Sequence, residues 1–207
     1  MSYMAGDPSA SERNDVLAER ELVLQAQQGD QQAFEALYER YYARISRYLI
    51  LLVGDNGAGC ELAQETFLSA WEALSGLRDP SRFASWLYRI ATNEAYTYQN
   101  HAQLLHTISW DEYVERSATP SLSGPESFLY EAELMKLVLA RVSSTYRPYF
   151  ILYVIEKCSQ KEIADLLGVK PSIVSKYVSR GKEEFRQIYF RMTDEMQTRW
   201  PTNLMLS

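Results

Sequence analysis

The chain has 207 residues, of which 46% are hydrophobic and 23% are charged, and its formal net charge at pH 7 is −6. This balance is typical of a soluble globular protein with one large domain or two small ones. The longest apolar run, residues 48–53, is far shorter than the roughly 18 residues of a membrane span, which excludes membrane insertion. The polar, acidic N-terminus lacks the pattern of a secretory signal, so we expect a cytoplasmic protein.

The negative charge is distributed unevenly along the sequence. Residues 157–191 carry eight Lys or Arg against four Asp or Glu, a local charge of +4 on an otherwise acidic chain. A basic C-terminal segment indicates one end that binds anions, while the remainder serves other contacts. Two distant cysteines and two histidines, the latter five residues apart, give no metal-ligand spacing, so we expect no metal and no cofactor.

Three helical patterns follow one another in an N-terminal domain predicted to span residues 19–101, after a disordered tail at residues 1–18. In each pattern the apolar residues recur at steps of three and four, which places them on one face of a helix. Turn residues around Gly54 and Gly76 separate the helices. The predicted inward-facing residues include Phe34, Leu37, Tyr38, Tyr41, Ile45, Tyr48, Leu49, Leu52, Leu62, Ala63, Phe67, Ala70, Trp71, Leu74, Phe83, Trp86, Leu87, Ile90 and Ala91.

The periodicity fails over residues 102–125, where Ser, Thr, Pro and Gly accumulate, and this segment is predicted to be a linker. Helical patterning then resumes in a second domain predicted to span residues 126–196, with a flexible tail at residues 197–207. No strand pattern competes in either domain. The predicted fold is all-α, with two small helical domains joined by a flexible linker, the C-terminal one a helix-turn-helix.

The helix-turn-helix prediction rests on four local signals in residues 159–186. Ser159 and Glu162 form a capping box, and an apolar face follows in the helix that they begin. Gly168 stands where the chain must turn through a positive φ, and Pro171 suits the first position of a second helix. The order is helix, tight turn and helix.

The second of these helices carries short hydroxyl side chains and cations on the side away from its packing residues. Such side chains suit a helix in the DNA major groove, where Lys and Arg reach guanine edges and phosphates. A solvated helix face is the alternative; the capping box, glycine turn, proline and local charge together favour DNA binding. The predicted DNA-contacting residues are Ser172, Ser175, Lys176, Ser179, Arg180 and Lys182.

Read in order, the segments QETFLSAW (residues 64–71), WLYRIATN (86–93) and SQKEIADLLG (159–168) resemble motifs of the bacterial sigma factors of the extracytoplasmic-function (ECF) type. The first two fall in a stretch similar to region two of that family, and the third in a stretch similar to region four. The resemblance covers about residues 22–191. It implies a non-enzymatic protein that binds core RNA polymerase and promoter DNA, with no small-molecule substrate, and many such factors are held inactive by an anti-sigma factor.

The resemblance also implies site residues in the N-terminal domain. The family's QETFL segment contacts the clamp helices of the polymerase β′ subunit, and the matching helix here exposes an acidic face around one leucine. The expected polymerase-binding residues are Glu61, Gln64, Glu65, Leu68 and Glu72. The family uses the WLYRIATN helix to capture bases of the minus-ten promoter element, and Asn, Arg and aromatic side chains suit that task. The expected residues are Arg82, Arg89, Asn93 and Tyr96.

The sequence departs from the family in two places. No Lys or Arg occurs from Thr92 through Glu115, where the family usually has several, and Tyr153 and Ser175 occupy positions that are often basic. Phosphate attraction should therefore be weaker on the minus-ten side. Two alternatives stay open at this point: a stand-alone helix-turn-helix regulator, and a degenerate relative that binds polymerase without opening promoters.

Overall fold

A computed structural model of the chain describes residues 8–105 and 126–199. Within these ranges all regular elements are helices and no strand occurs, which confirms the all-α prediction. The helices form an N-terminal bundle from residues 8–105 and a C-terminal bundle from residues 126–199. Residues 106–125, most of the predicted linker, lie outside the described residues, as do residues 200–207 of the predicted tail. In neither described range is a helix long and apolar enough to cross a membrane.

The N-terminal bundle contains four helices and two short 3₁₀ turns. These are α1 (Pro8–Gln27), α2 (Gln31–Val53), α3 (Asn56–Ala73) and α4 (Phe83–Leu105), with the turns at Leu74–Gly76 and Pro80–Arg82. Helix α1 begins inside the segment that the sequence suggested was a tail. Helix α2 begins where the carboxylate of Asp30 accepts hydrogen bonds from the N–H groups of Gln32 and Ala33, and it ends at Gly54 in the left-handed conformation.

Helix α2 is the centre of this bundle because it packs against α1, α3 and α4. Six of its eight predicted core residues are buried, while Phe34 and Tyr38 are half-buried at the edge of the stripe. Most of the predicted inward-facing residues of α3 and α4 are likewise buried, and Trp71, Trp86 and Ile90 are half-buried. Four further side chains of these helices are buried that were not predicted: Thr66, Tyr88, Thr92 and Ala95. The hydrophobic periodicity thus gave the correct orientation of all three helices.

The C-terminal bundle contains four helices and one π-helical turn. These are α5 (Glu126–Arg141), α6 (Arg147–Phe150), α7 (Gln160–Leu167) and α8 (Pro171–Arg199), with the π turn at Ile151–Ile155. Helix α8 packs against α5, α6 and α7. The breaks between these helices fall around Ser143, around Lys157 and at Gly168, and the last is the tight turn that the sequence predicts.

The two bundles pack against each other. Helix α4 contacts α7, and α2 contacts both α5 and the π turn. One continuous hydrophobic core runs through both bundles, so that Ile151 and Leu152 belong to the same cluster as Tyr48 and Tyr88. The side chains predicted for protein and DNA contact are therefore displayed on a single two-bundle body.

Candidate functional site

The helix-turn-helix has the local geometry that the sequence predicts. The hydroxyl of Ser159 accepts a hydrogen bond from the N–H of Glu162 at 3.2 Å, and the Glu162 carboxylate accepts one from the N–H of Ser159 at 2.6 Å. Gly168 has a φ of 66°, a left-handed conformation that most residues with a side chain disfavour. Helix α8 begins at Pro171. The capping box, the turn at Gly168 and Pro171 orient the first turns of α8, which carry the predicted DNA-contacting residues.

The packing of α8 separates an inner and an outer face. Val174 and Val178 are buried, and Ile173 and Tyr177 are half-buried, as expected from their spacing. Tyr177 contacts the ring of Tyr149 edge-on, with the centroids 5.0 Å apart. The outer face exposes all six residues predicted to contact DNA: Ser172, Ser175, Lys176, Ser179, Arg180 and Lys182. Their chemical fit to a major groove remains a prediction.

One cation of this face, Lys182, is held by a contact that the sequence analysis missed. Nζ of Lys182 lies 4.2 Å from the centroid of the Tyr153 ring, a cation–π contact that restricts where the ammonium group can point. Tyr153 is the residue that stands where the family often has a cation. The aromatic ring therefore holds a neighbouring cation at the surface instead of supplying its own charge. Only the fold brings these residues, which are far apart in sequence, together.

The polymerase-binding residues expected on α3 are all exposed. Leu68 is 60% exposed, which is unusual for a leucine in the middle of a packed helix. Gln64 and Leu68 border a shallow groove between α2 and α3 whose other lining residues are Gln31, Phe34, Tyr38, Phe67 and Trp71. Glu61, Glu65 and Glu72 are exposed on the same helix. The result is an apolar groove beside an acidic helix face.

The aromatic floor of this groove was predicted only as core. The Phe34 and Trp71 ring centroids lie 4.8 Å apart, and the Tyr38 ring contacts Phe67 at 4.7 Å. Phe34, Tyr38 and Trp71 are half-buried, so each presents part of its ring to solvent. They lie at the edges of the two apolar stripes, next to Gln31 and Gln64. That edge position was the available signal in the sequence, since residues at the margin of a stripe contact both core and solvent.

The four residues expected to read the minus-ten element are not equivalent in the structure. Arg89 and Asn93 are exposed on α4. Arg82 is exposed and lies 3.5 Å from the carboxylate of Asp79. Tyr96 is half-buried, its hydroxyl donates a hydrogen bond to the Ser144 carbonyl at 3.2 Å, and burial raises its pKa. Arg89 and Asn93 are therefore the pair most available to DNA.

The described residues offer no site for metal chemistry. Within them, no group of three or more His, Cys, Asp or Glu side chains is placed to hold a metal ion. Cys60 is half-buried and Cys158 is buried, and both are free thiols. Burial raises the pKa of Cys158, which disfavours its nucleophilic thiolate form.

Two family profiles match the chain, and each falls on one of the bundles. The profile "Sigma-70 region 2" matches residues 37–103, and the profile "Sigma-70, region 4" matches residues 132–185. The first match includes the groove helix α3 and most of α4, and the second includes the helix-turn-helix. The chain belongs to the sigma-70 family. The ECF resemblance drawn from the motifs is confirmed, and the protein is a sigma factor of transcription initiation.

Curated relatives of this sigma factor cover both bundles. The ECF RNA polymerase sigma-E factor of Escherichia coli (strain K12) is 28% identical over 176 residues, which are 81% of this chain and 92% of the relative. The ECF RNA polymerase sigma factor SigW of Bacillus subtilis (strain 168) is 26% identical over 176 residues, which are 80% of this chain and 93% of that protein. The order of the two regions is thus shared with these relatives.

Two solved structures have a similar fold. CnrH, solved in complex with the cytosolic domain of CnrY, has a TM-score of 0.62 and 24% identity, and the match covers 83% of this chain and 96% of CnrH. The sigma factor RpoE of Bartonella quintana, solved with the anti-sigma factor NepR, has a TM-score of 0.53 and 19% identity, with 75% of this chain and 95% of that chain covered. The similarity supports the two-region architecture.

Proposed function

We propose that this sigma factor binds core RNA polymerase through the groove between α2 and α3, and directs it to promoters that it reads with α4 and α8. Its action is non-covalent: it contributes specificity and holds unpaired bases, while the polymerase performs the nucleotide chemistry. We place this action in the cytoplasm. The single observation that carries the proposal is the exposed Leu68, which stands beside an aromatic groove on the region 2 bundle.

The polymerase contact is argued from the chemistry of that groove. An exposed leucine beside three half-buried aromatic rings is an anchor of the kind that protein interfaces bury at their centre. Exposed glutamates surround it on α3, so a helical partner with basic side chains around an apolar stripe would complement it. The clamp helices of the β′ subunit are the proposed partner. Gln64, Glu65 and Leu68 are proposed as the central contacts.

The promoter contacts are divided between the two bundles. On α8, Lys176 and Arg180 are proposed to reach bases and phosphates of the minus-thirty-five element, with the exposed serines allowing close approach. On α4, Asn93 is proposed to read a flipped base of the minus-ten element, with Arg89 neutralising an adjacent phosphate. Arg82 and Tyr96 are proposed as flanking contacts.

One observation favours a second candidate function. Helix α4 has no Lys or Arg after Arg89, because none occurs between residues 92 and 115, so the DNA-facing charge of this bundle is small. A relative that binds polymerase but depends on another factor to open promoters would show this pattern. A stand-alone helix-turn-helix regulator is the further alternative, and it would not associate with polymerase.

Run-off transcription distinguishes these functions. Purified protein would be added to sigma-free core polymerase with a library of upstream sequences from the source genome. Transcripts that start downstream of one shared pair of motifs are expected. Binding to core without any transcript would instead support the activator-dependent relative, and a homodimer that fails to bring down β and β′ would support the stand-alone regulator.

The groove contact has a matched test within the N-terminal bundle. Leu68→Ser is expected to weaken binding to core polymerase by about tenfold or more, because burying a leucine side chain contributes about 1.5 kcal/mol or more. Leu17→Ser is the control, since Leu17 is 64% exposed on α1 and does not line the groove. Equal losses in the two variants, measured by titration of labelled core polymerase, would remove the groove from the interface.

An anti-sigma factor is a proposed partner as well. The B. quintana sigma factor of similar fold was solved with such a protein. The exposed apolar groove and the exposed α8 face are the surfaces that an inhibitor would need to cover. A candidate inhibitor is expected to compete with core polymerase for this protein. This competition is expected to be lost in Leu68→Ser.

A further inference from the structure

A cavity of about 540 Å³ lies beside the helix-turn-helix, where the π turn, the start of α7 and α8 meet. It shares no lining residue with the groove between α2 and α3. We call it the lysine cavity, and its lining residues are Tyr153, Val154, Lys157, Cys158, Ser159, Glu162 and Lys182. Two of the three charged side chains in this set are cations, so the cavity is suited to an anion.

Lys182 projects from a different side of α8 than Lys176 and Arg180 do. Successive residues of an α-helix are about 100° apart around its axis. Lys176 and Arg180 therefore project about 40° apart, whereas Lys182 projects about 120° from Lys176 and about 160° from Arg180. A helix in the major groove presents one face to the base edges, and the phosphate backbones flank it. Lys182 is thus directed towards a backbone when the other two cations reach the bases.

The Tyr153 ring restricts the ammonium group of Lys182. Nζ of the lysine lies 4.2 Å from the centroid of the ring. The ring is half-buried and packs against the hydrophobic core, so its own position is fixed. A free lysine side chain loses much rotamer freedom when it binds, and a contact that restricts it beforehand reduces that loss. Tyr153 therefore prepares Lys182 for binding at the cavity.

Lys157 brings a second cation to the cavity from an unusual backbone position. Its φ is 58°, in the left-handed region, and no other residue except glycine has a positive φ in residues 8–105 and 126–199. The turn is closed by a hydrogen bond from the N–H of Cys158 to the carbonyl of Leu152 at 2.9 Å. Glycine usually occupies such a position after a helix. A lysine there is strained, and it places an exposed cation beside the cavity.

The two lysines are available to a ligand. Within the described residues, neither Lys157 nor Lys182 forms an ion pair with a carboxylate. Glu162 is the one acidic side chain of the lining, and its carboxylate accepts a hydrogen bond from the N–H of Ser159 at 2.6 Å in the capping box. Two lysines and one glutamate give the lining a formal charge of +1. A phosphate diester of DNA carries a single negative charge, so it complements the cavity.

We propose that Tyr153 is a positioning residue: it holds Lys182 so that Lys182 and Lys157 together bind one phosphate of the promoter backbone, beside the bases that α8 reads. Tyr153 itself does not touch the DNA. Lys182 then contributes affinity for DNA of any sequence, while Lys176 and Arg180 read the sequence. This inference rests on the proposed minus-thirty-five role of α8.

Two kinds of substitution on α8 are expected to differ in their effect. Polymerase holoenzyme would be titrated by fluorescence anisotropy with the promoter found by run-off transcription, and with the same duplex carrying a scrambled minus-thirty-five element. Lys182→Ala is expected to weaken binding of both duplexes by about fivefold and to lower the salt dependence by about one counterion. Lys176→Ala is expected to weaken chiefly the first duplex, because it removes a base contact.

Substitutions of Tyr153 separate positioning from packing. Tyr153→Phe keeps the ring face that the ammonium contacts, and it is expected to bind both duplexes like the natural protein. Tyr153→Leu keeps an apolar side chain without the ring and is expected to weaken binding of both by about threefold. In a Lys182→Ala background the same change is expected to have no further effect, since the residue that it positions is gone. Tyr189→Leu is the control, because that half-buried ring of α8 contacts no cation within the described residues.

Neutral phosphates would locate the contact on the DNA. Each backbone phosphate of the minus-thirty-five region would be replaced in turn by a methylphosphonate. We expect one position at which the replacement weakens binding by the natural holoenzyme and has no effect on Lys182→Ala. Lys157→Asn has no charge and suits the left-handed position, and it is expected to lose sensitivity at the same phosphate. Loss of sensitivity at two different phosphates would contradict the shared contact.

The outcomes distinguish this proposal from the proposed function. Weakening by Lys182→Ala that is confined to the intact promoter would make Lys182 a base-reading residue and overturn the proposal. Equal binding by Tyr153→Leu and the natural protein, or additive losses when Tyr153→Leu is combined with Lys182→Ala, would remove the positioning role. A natural holoenzyme that does not distinguish the two duplexes would instead be a failure of the proposed function, because α8 would then read no minus-thirty-five element.

Discussion

The hydroxyl of Tyr48 and Oγ1 of Thr92 are 2.9 Å apart in the core of the N-terminal bundle. Thr92 donates its single hydroxyl hydrogen to the Tyr88 carbonyl at 2.7 Å, so Tyr48 must be the donor in the pair. Both side chains are buried. This chain of hydrogen bonds connects α2 to the middle of α4, next to Asn93, and therefore helps to orient the proposed minus-ten helix.

The direction of that hydrogen bond predicts that substituting Tyr48 and substituting Thr92 lower the unfolding free energy by unequal amounts. Tyr48→Phe leaves Thr92 with its own acceptor and is expected to cost about 1 kcal/mol of unfolding free energy. Thr92→Val leaves the Tyr48 hydroxyl buried without an acceptor and is expected to cost about 2–3 kcal/mol, while adding Tyr48→Phe should recover part of it. Chemical denaturation measures all three. Tyr88→Phe is the control, because the Tyr88 hydroxyl has no hydrogen-bond partner within the described part of the chain.

The close approach of α2 and α3 predicts opposite effects for two nearby glycines. A Cβ on Gly59 would lie 2.5–2.7 Å from Cγ1, Cα and N of Ile50, so Gly59→Ala forces the helix backbones apart. We expect it to lower the unfolding free energy by about 2 kcal/mol or more. Gly57→Ala meets only ordinary contact, 3.4 Å from an Asp55 oxygen, and gains helix propensity of up to about 1 kcal/mol. Thermal unfolding measures the stability of both variants. A higher midpoint for Gly59→Ala than for Gly57→Ala would contradict the expected opposite effects.

The exposed cations of α8 predict a specific loss in promoter binding. Lys176→Ala and Arg180→Ala are each expected to weaken promoter binding by polymerase holoenzyme by about tenfold, and to lower its salt dependence by about one counterion for each phosphate that is no longer neutralised. Arg191→Ala is the matched control, since it removes a cation from the same helix about 22 Å beyond Lys176 and about 16 Å beyond Arg180. Binding would be measured by fluorescence anisotropy across a salt series. The same weakening for Arg191→Ala would indicate a general charge effect.

The capping box predicts a pH-dependent contribution to stability. Hydrogen bonds from the N–H and hydroxyl of Ser159 hold the pKa of Glu162 below its ordinary value. A carboxylate with a lowered pKa stabilises the fold above its unfolded pKa, and this contribution is lost as the pH falls through the folded value. Glu162→Gln should therefore be less stable than the natural protein at pH 7 and equally stable near pH 3.

Ser159→Ala separates this charge effect from the capping geometry. Loss of the hydroxyl is expected to cost about 1 kcal/mol near pH 3, because the backbone N–H of Glu162 loses its acceptor, and more at pH 7, where the hydroxyl also stabilises the ionised carboxylate. Midpoints of thermal unfolding at the two pH values measure both variants. A constant difference between Glu162→Gln and the natural protein across this range would contradict the role of the ionised carboxylate.

Local features of the sequence were sufficient to predict the helices and their inner faces. The stripe that contains Leu37, Ile45 and Leu52 is buried as its spacing predicts, since the period of a helix is set within each turn. The caps at Ser159 and Gly168 also follow from neighbours in sequence. The exposed faces of α3 and α8 were predicted as the complements of these stripes. The motifs on those faces were enough to identify the family.

Tertiary structure decided the relation between the bundles and the accessibility of the site. Arg47 and Glu156 are 109 residues apart and each has the local pattern of an ordinary surface charge. The guanidinium of Arg147 donates its hydrogen bonds to backbone carbonyls, one of them 95 residues away in the sequence. Because every residue has a backbone carbonyl, the sequence does not mark which one accepts. The sequence by itself thus determined the helices, the family and the candidate contact residues, because those signals lie within a few turns of chain. Only folding decided which of these residues meet in the contact between the two bundles, because pairing between distant segments leaves no periodic signal in either segment.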